Sequence, residues 1–268
     1  MYEAYWGLKE SPFENSPNPK FFYLSPEHEE ALIRMVYAVK QRKGAAMLTG
    51  EYGCGKTTLT RALLQRLEGE RYDVGLLTNP SLGQVDFIRE ILYQLGVDGD
   101  GRGKADLLHQ LNELVLRNLN AGKDTVIIID EAQLIEDTAI FEELRLLLNF
   151  QLDDRFLLTL LLVGQPELRE KIQRLKQLDQ RIAIRYHLNT LDYAHTMNYI
   201  AHRLRTAGLA RSIFTEGAVK VIYDFTRGTP REINNICDIC LLVGFSKRVT
   251  EIDEKIVTEV IHDTVGVS

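Results

Sequence analysis

The stretch LTGEYGCGKTTL, Leu48 to Leu59, gathers three glycines, a lysine and two threonines into one turn with apolar residues on either side. Its spacing, Gly50 then four residues then Gly55-Lys56-Thr57, matches G-x-x-x-x-G-K-[ST]. Glycines at 50, 53 and 55 let the backbone N–H groups of Glu51, Tyr52, Gly53, Cys54 and Gly55 curl around phosphate oxygens. A helix opening there adds the positive end of its dipole. Lys56 reaches the β- and γ-phosphates, the Thr57 hydroxyl ligates Mg²⁺, and Thr58 follows at the helix start. Downstream, VIIIDEAQ, Val126 to Gln133, is an apolar run that meets two acids. Asp130 at the strand tip would hold the metal through water, and Glu131 would orient and polarise an attacking water. The chemistry implied is binding of ATP with Mg²⁺ and hydrolysis at the γ-phosphate. A chance lysine in a glycine turn, or an exposed acidic turn, is the bland alternative. The strand before and the helix after argue against it.

The elements that must position these groups follow from hydrophobic period. Residues 1 to 27 are rich in proline, aromatics and asparagine and read as an ordered, irregular arm. From His28 to Gln41 the apolar positions Ala31, Leu32, Met35, Val36 and Val39 recur at helical spacing. AAMLTG is a short buried strand, and the glycine turn leads into a helix ending near Leu67. YDVGLLTN is a second strand. Helices over Val85 to Leu95 and Lys104 to Asn120 follow, split by the Gly/Asp-rich GVDGDGRG. DTVIIID and FLLTLLLVG are uninterrupted apolar runs, as central parallel strands covered on both faces should be. IAIRYHL reads as an edge strand. Strands alternating with helices predict a parallel α/β sheet. Beyond residue 190 only helices remain: about Tyr193 to Ala207, Thr215 to Thr226, Arg231 to Phe245 and Asp253 to Thr264, with Asp192 as an N-cap. The expected organisation is an α/β nucleotide-binding domain with its arm over 1–190 and a helical lid over 191–268.

Composition narrows the class. Hydrophobic residues make up 45% and charged residues 26% of 268, ordinary for a globular protein. The net charge of −6 argues against a protein that coats nucleic acid. The longest apolar run, Phe156 to Val163, falls far short of the roughly 20 residues of a membrane-spanning helix. MYEAYWGLKESPF lacks the basic and apolar regions of a signal peptide, so a cytoplasmic protein is expected, peripheral at the inner membrane only through a partner. Three cysteines make no disulfide framework. Cys237 and Cys240 form a C-x-x-C without a second pair, and helical spacing groups them with Ile233, Ile236 and Gly244 as core.

MYEAYWGLKESPF, PNPKFFYLSPEHEEAL, the glycine turn, IIIDEAQ, LLLVGQPEL, LDQRIAIRYHL and GTPREINNIC occur in that order. Together they resemble the AAA+ ATPases of the general secretion pathway protein A type. That group is related to transposition ATP-binding proteins and, more distantly, to replication-initiator ATPases. Many members continue into a transmembrane helix and a peptidoglycan-binding region, which these 268 residues do not contain. The resemblance implies a homo-oligomer, ring or filament, formed on ATP binding. It implies secretion or pilus assembly proteins as partners, or, as the alternative, DNA marked by a transposition-type regulator.

The same resemblance implies roles for particular residues. Gln165 would be the sensor 1 polar residue, the other reading being a Gly-Gln-Pro turn that caps the next helix. Arg231 in GTPREIN would be the sensor 2 arginine. Arg181 is the first choice and Arg185 the second for an arginine finger given to the neighbouring subunit. The alternative for both is solvated arginines on an edge strand. Asn79 either restrains the catalytic glutamate or forms an Asn-Pro turn. By residue type rather than by the resemblance, Phe22, Tyr23 and His28 would line an adenine pocket, since bases stack on rings and bond to polar edges, or they pack the arm. Arg169, Lys171, Arg174, Lys176, Arg181 and Arg185 form a basic run for nucleic acid or a neighbouring subunit, or a solvated helix face.

Overall fold

Long apolar runs become the middle of a sheet, and runs that alternate become its edges. In chain order the elements are α1 (Glu3–Trp6), a 3₁₀ turn (Pro19–Phe21), α2 (Pro26–Lys40), β1 (Ala45–Gly50), α3 (Lys56–Arg66) and β2 (Tyr72–Leu77). Then come α4 (Gln84–Gln94), α5 (Lys104–Asn120), β3 (Asp124–Ile129), a second 3₁₀ turn (Ala132–Leu134) and α6 (Thr138–Leu147). A hairpin of β4 (Gln151–Leu152) and β5 (Arg155–Phe156) precedes β6 (Leu158–Gly164), α7 (Pro166–Arg174), α8 (Lys176–Asp179) and β7 (Ile182–Leu188). Helices α9 (Tyr193–Thr206), α10 (Glu216–Thr226), α11 (Pro230–Lys247) and α12 (Glu254–Val265) complete the chain. The computed structural model describes residues 1–67, 69, 71–100, 103–153 and 155–266. Gly101 and Arg102 of the expected break, and Val267 and Ser268 of the expected lid, lie outside the described residues.

The chain divides into two compact units. One comprises Glu27–Tyr52 and Leu59–Leu188 and holds a five-stranded sheet ordered β2-β3-β6-β1-β7, with every pairing parallel. The parallel α/β fold is the one the sequence pattern predicts. β1, β3 and β6 are buried along their whole length, while edge strands β2 and β7 are only partly covered. The core of this unit packs Met47, Ile127, Ile129, Leu160 and Leu162 of the strands against Phe87, Ile91, Leu111 and Phe141 of the helices. Helix α6, left unassigned by the sequence reading, carries a legible signal. Its Asp137 N-cap accepts from Ala139 N at 2.9 Å, and Ile140, Phe141, Leu144 and Leu147 share its buried face.

The other unit comprises Met1–Pro26, Gly53–Thr58 and Asn189–Ser268. Asp192 caps α9 as expected, accepting from His195 N at 2.7 Å. The arm differs from expectation: it belongs to the helical unit, not to the α/β domain. The buried Trp6 donates from Nε1 to the Leu241 carbonyl at 2.9 Å, and Tyr5 Oη donates to Val249 O at 2.7 Å. Phe13 meets Phe214 edge-on at 6.2 Å. Arg203, itself buried, donates to Pro12 O at 2.5 Å and to Glu14 O at 2.7 Å. The arm lacks periodicity because it is a filler of a helical core rather than an element with its own face. Cys237 and Cys240 are fully buried in that core. Burial pushes the Cys240 thiol up to about 12 and raises Cys237 well above its ordinary value.

Trp6 is the sole tryptophan, so its emission reports arm docking directly. Trp6→Ala should cost the helical unit about 3–5 kcal/mol in chemical denaturation. In the parent protein the Trp6 emission should be blue-shifted until that unit unfolds. A red-shifted native spectrum would show that the arm is undocked in solution.

Candidate functional site

β1 delivers the chain to Gly50, and α3 opens at Lys56. The five residues between turn sharply, with Gly53 at φ 80° and Gly55 at φ 101°, where an L side chain is strained. Cys54 is fully buried beneath the turn and Lys56 is 6% exposed, while Glu51, Tyr52 and Thr57 face solvent. Gly55 and Thr58 are half-buried. The opening turn of a helix presents backbone N–H groups and the positive end of its dipole, which suits an anion. The turn is braced by α11. Arg231 N donates to Gly53 O at 3.3 Å, and a Cβ on Gly53 would lie 2.9 Å from Arg231 Cβ. Thr229 stands at the N-cap position of α11 without a side-chain cap bond, and Pro230 occupies its first turn, followed by Arg231.

β3 ends at Ile129, and the next two residues are the predicted acids. Asp130 is 3% exposed. Its N–H donates to Leu77 O at 2.8 Å, and its Oδ1 accepts from Glu131 N at 2.9 Å. Glu131 adopts φ 52° and ψ 35°, a left-handed conformation that costs a non-glycine residue roughly 1–2 kcal/mol. The Leu134 N–H to Glu131 O bond at 2.8 Å locks that bend. The Glu131 carboxylate accepts from Gln133 Nε2 at 2.5 Å. Gln133, which the sequence reading quotes without a role, also accepts from Gln165 N at 3.0 Å.

The remaining sequence candidates divide. Gln165 is the N-cap residue of α7 without a side-chain cap bond, so its half-buried amide is not consumed by capping. Asn79 is exposed, and its Oδ1 accepts from Ser81 N at 3.3 Å. No hydrogen bond joins it to Glu131 among those described. Arg181 precedes β7, where Ile182 registers with Ala45, at the opposite end of β1 from Gly50. Its Nη2 donates to Asn149 Oδ1 at 3.3 Å. Arg185 is tied to Asp179 through Oδ1 at 2.7 Å and the backbone carbonyl at 2.5 Å. The basic run is not one stripe. Lys171 turns inward to Gln133 O and Ile135 O, at 2.6 and 2.9 Å, and Arg174 faces Glu170 at 3.9 Å. Tyr23 packs within the helical unit, its hydroxyl 3.1 Å from His195 Nδ1 and its ring beside Tyr199 and His202. Burial, with Asp192 adding to it, raises the Tyr23 phenol above its ordinary value. Phe22 is half-buried. His28 is buried on α2 of the α/β unit.

Residues 39–172, half of the chain, match the AAA domain family. The chain belongs to the AAA domain family. It is 41% identical over 251 residues to general secretion pathway protein A of Aeromonas hydrophila, a match covering 92% of this chain and 45% of that protein. The chain thus spans less than half the length of that relative. Among solved structures it resembles the ORC2 protein of Aeropyrum pernix in its ADPNP and ADP complexes, with TM-score 0.67 and 18% identity over 94% of this chain and 71% of that one. It also resembles the Aeropyrum pernix ORC1 protein in complex with DNA, with TM-score 0.68 and 14% identity over 95% and 68%. At these identities the two structures speak to the fold alone.

For this AAA domain chain the donor chemistry fits Mg²⁺. Thr57 and Asp130 offer hard oxygens, and no cluster of three or more His, Cys, Asp or Glu side chains able to hold a metal exists among the described residues. Among the described residues no helix is long and apolar enough to cross a membrane.

Gly53→Ala tests the brace on the turn. Positive φ and the close approach of Arg231 should together cost about 1–3 kcal/mol of stability. They should also weaken nucleotide binding, read as the loss of the melting shift that ATP produces in the parent. Unchanged melting with and without ATP would mean that α11 does not brace the loop.

Proposed function

We propose that this chain binds Mg·ATP and hydrolyses it by attack of water on the γ-phosphate. The observation that carries this is the pairing of a glycine turn, which opens a helix at the end of buried β1, with two acids at the end of parallel β3 in the same sheet. Ile129 registers with Leu162, and Leu162 with Met47, so β3 lies two strands from β1, about 10 Å across the sheet.

Lys56 and the α3 N–H groups neutralise and orient the phosphates. Thr57 and Asp130 would hold Mg²⁺, which when bound offsets charge on the β- and γ-phosphate oxygens. Glu131 accepts a hydrogen bond from the attacking water and aligns it with phosphorus. Arg231 and Gln165 are carried as nucleotide contacts by the resemblance, Tyr23 and His28 by the stacking and hydrogen-bonding chemistry of a base, and Asn79 as the residue that restrains Glu131.

The 41% identity to general secretion pathway protein A supports a role in assembling or remodelling a secretion or pilus apparatus, reached through a partner at the inner membrane. The DNA reading draws less support, because Lys171, Arg174 and Arg185 of the basic run have partners within the chain. Duplex DNA that stimulated hydrolysis, with binding falling steeply as salt rises, would reverse that order.

Two substitutions test the chemistry. Lys56→Ala should abolish ATP binding and turnover in a folded protein. Glu131→Gln should bind ATP normally and hydrolyse it about 10²–10⁴-fold more slowly. Parent-like turnover by either variant removes that residue from the reaction.

A finger for the neighbouring subunit is the second element of the proposal. Arg181 lies six residues of strand, about 20 Å, from the level of Gly50 in its own chain. That distance disfavours a role at its own nucleotide, and we assign it to a neighbour's, in a ring or filament that ATP favours. Arg181→Ala should lose roughly 10³-fold in rate with little change in ATP affinity. Mixing it with Lys56→Ala should restore activity, since mixed oligomers pair an intact turn with an intact finger. Oligomers that demonstrably mix yet stay inactive would exclude Arg181 and pass the test to Arg185.

A further inference from the structure

The side chain of Gln133 is 9% exposed and bonded at both ends. Its orientation is fixed by its partners, because the Glu131 carboxylate only accepts and the Gln165 N–H only donates. Nε2 therefore faces Glu131 at 2.5 Å and Oε1 faces Gln165 N at 3.0 Å. The Gln133 backbone is held as well, its carbonyl accepting from Lys171 Nζ at 2.6 Å. The amide occupies a slot that exists only because residue 164 is glycine. A Cβ there would lie 2.6 Å from Gln133 Oε1, 2.9 Å from Leu168 Cδ2 and 3.3 Å from Gln133 N.

This builds a bridge with two distinct ends. One end is the acid that follows β3, on a residue already held in a left-handed bend. The other is the backbone at the joint between β6 and α7, and Lys171 of the same α7 donates to the Gln133 and Ile135 carbonyls of the turn after Glu131. We propose that Gln133 is a positioning residue that ties the Glu131 carboxylate to the β6–α7 joint. Any shift of Gln165 is thereby passed to the oxygen that orients water. The inference rests on the ATPase reading above and deepens it. Gln133 does not touch substrate; it acts through Glu131.

Three variants separate this from a packing role. Gln133→Glu keeps the shape and still offers an oxygen to Gln165 N–H, but sets a carboxylate against Glu131 where a donor stood. It should lower kcat by roughly 10²-fold while KM and ATP affinity stay within about twofold. Gly164→Ala leaves both side chains chemically intact yet displaces the amide, and should lower kcat comparably. In Gln133→Ala combined with Gly164→Ala, the second change should add no further loss in kcat. Independent packing defects would instead multiply their losses.

A readout apart from turnover is the side-chain amide of Gln133 in selectively ¹⁵N-labelled protein. Its proton pair should lie apart from those of exposed glutamines and return to the ordinary position in Glu131→Ala. If the parent hydrolyses ATP and Gln133→Glu matches its kcat, the proposal is overturned. It is equally overturned if the amide signal ignores Glu131→Ala. A parent with the amide signature but no hydrolysis overturns the ATPase reading and leaves the bridge standing.

Discussion

A parallel sheet brings every strand's carboxyl end to one edge, and the rest of this molecule's candidate chemistry depends on that constraint. β1, β3 and β6 are neighbours or next-neighbours that all run the same way. The segments that leave them, starting at Gly50, Asp130 and Gln165, therefore emerge together. Parallel pairing obliges each strand to return through a crossover, and crossovers put helices on both faces. The apolar runs of β1, β3 and β6 are what such a doubly covered sheet requires. A strand with polar residues on one face would leave them unsatisfied under a helix.

Asp130 and Glu131 show how the edge is finished. Asp130 is fastened to the end of β2 through Leu77 O, and its own carboxylate holds the following N–H. Glu131 then leaves the strand direction at a positive φ that a glycine would adopt more readily. The bend is retained because the 3₁₀ turn, Gln133 and Lys171 over-determine it. Backbone strain held in place by several hydrogen bonds is characteristic of sites where a side chain must point one way.

What was legible in the sequence was local. The strands and most helices follow from period, and the glycine turn follows from spacing, because both depend on residues a few positions apart. The partner of the arm was not legible: Trp6 and Leu241 are 235 residues apart, and nothing in MYEAYWGLKESPF says which core it fills. The arginines of 169–185 look alike in sequence, yet Arg185 is doubly bound to Asp179 while Arg181 holds one long bond. Gln133 stands in a motif that was noticed. Its meaning depends on the absence of a side chain at Gly164 and on an N–H 32 residues away, neither of which carries a pattern.

The docking of the arm also sets an order on biosynthesis. At about 5–20 residues per second, the ribosome needs roughly 10–50 seconds to travel from Trp6 to Leu241. Late in that interval, once Leu188 has been made, every strand of the α/β unit is in hand while the core-forming helices α9 to α12 are still being added. The arm, with Tyr2, Trp6, Leu8 and Phe13, has no helical core to enter until α9 to α12 emerge. Until α9 to α12 emerge those side chains are therefore a nascent apolar segment, the kind of exposed surface that chaperones exist to shield.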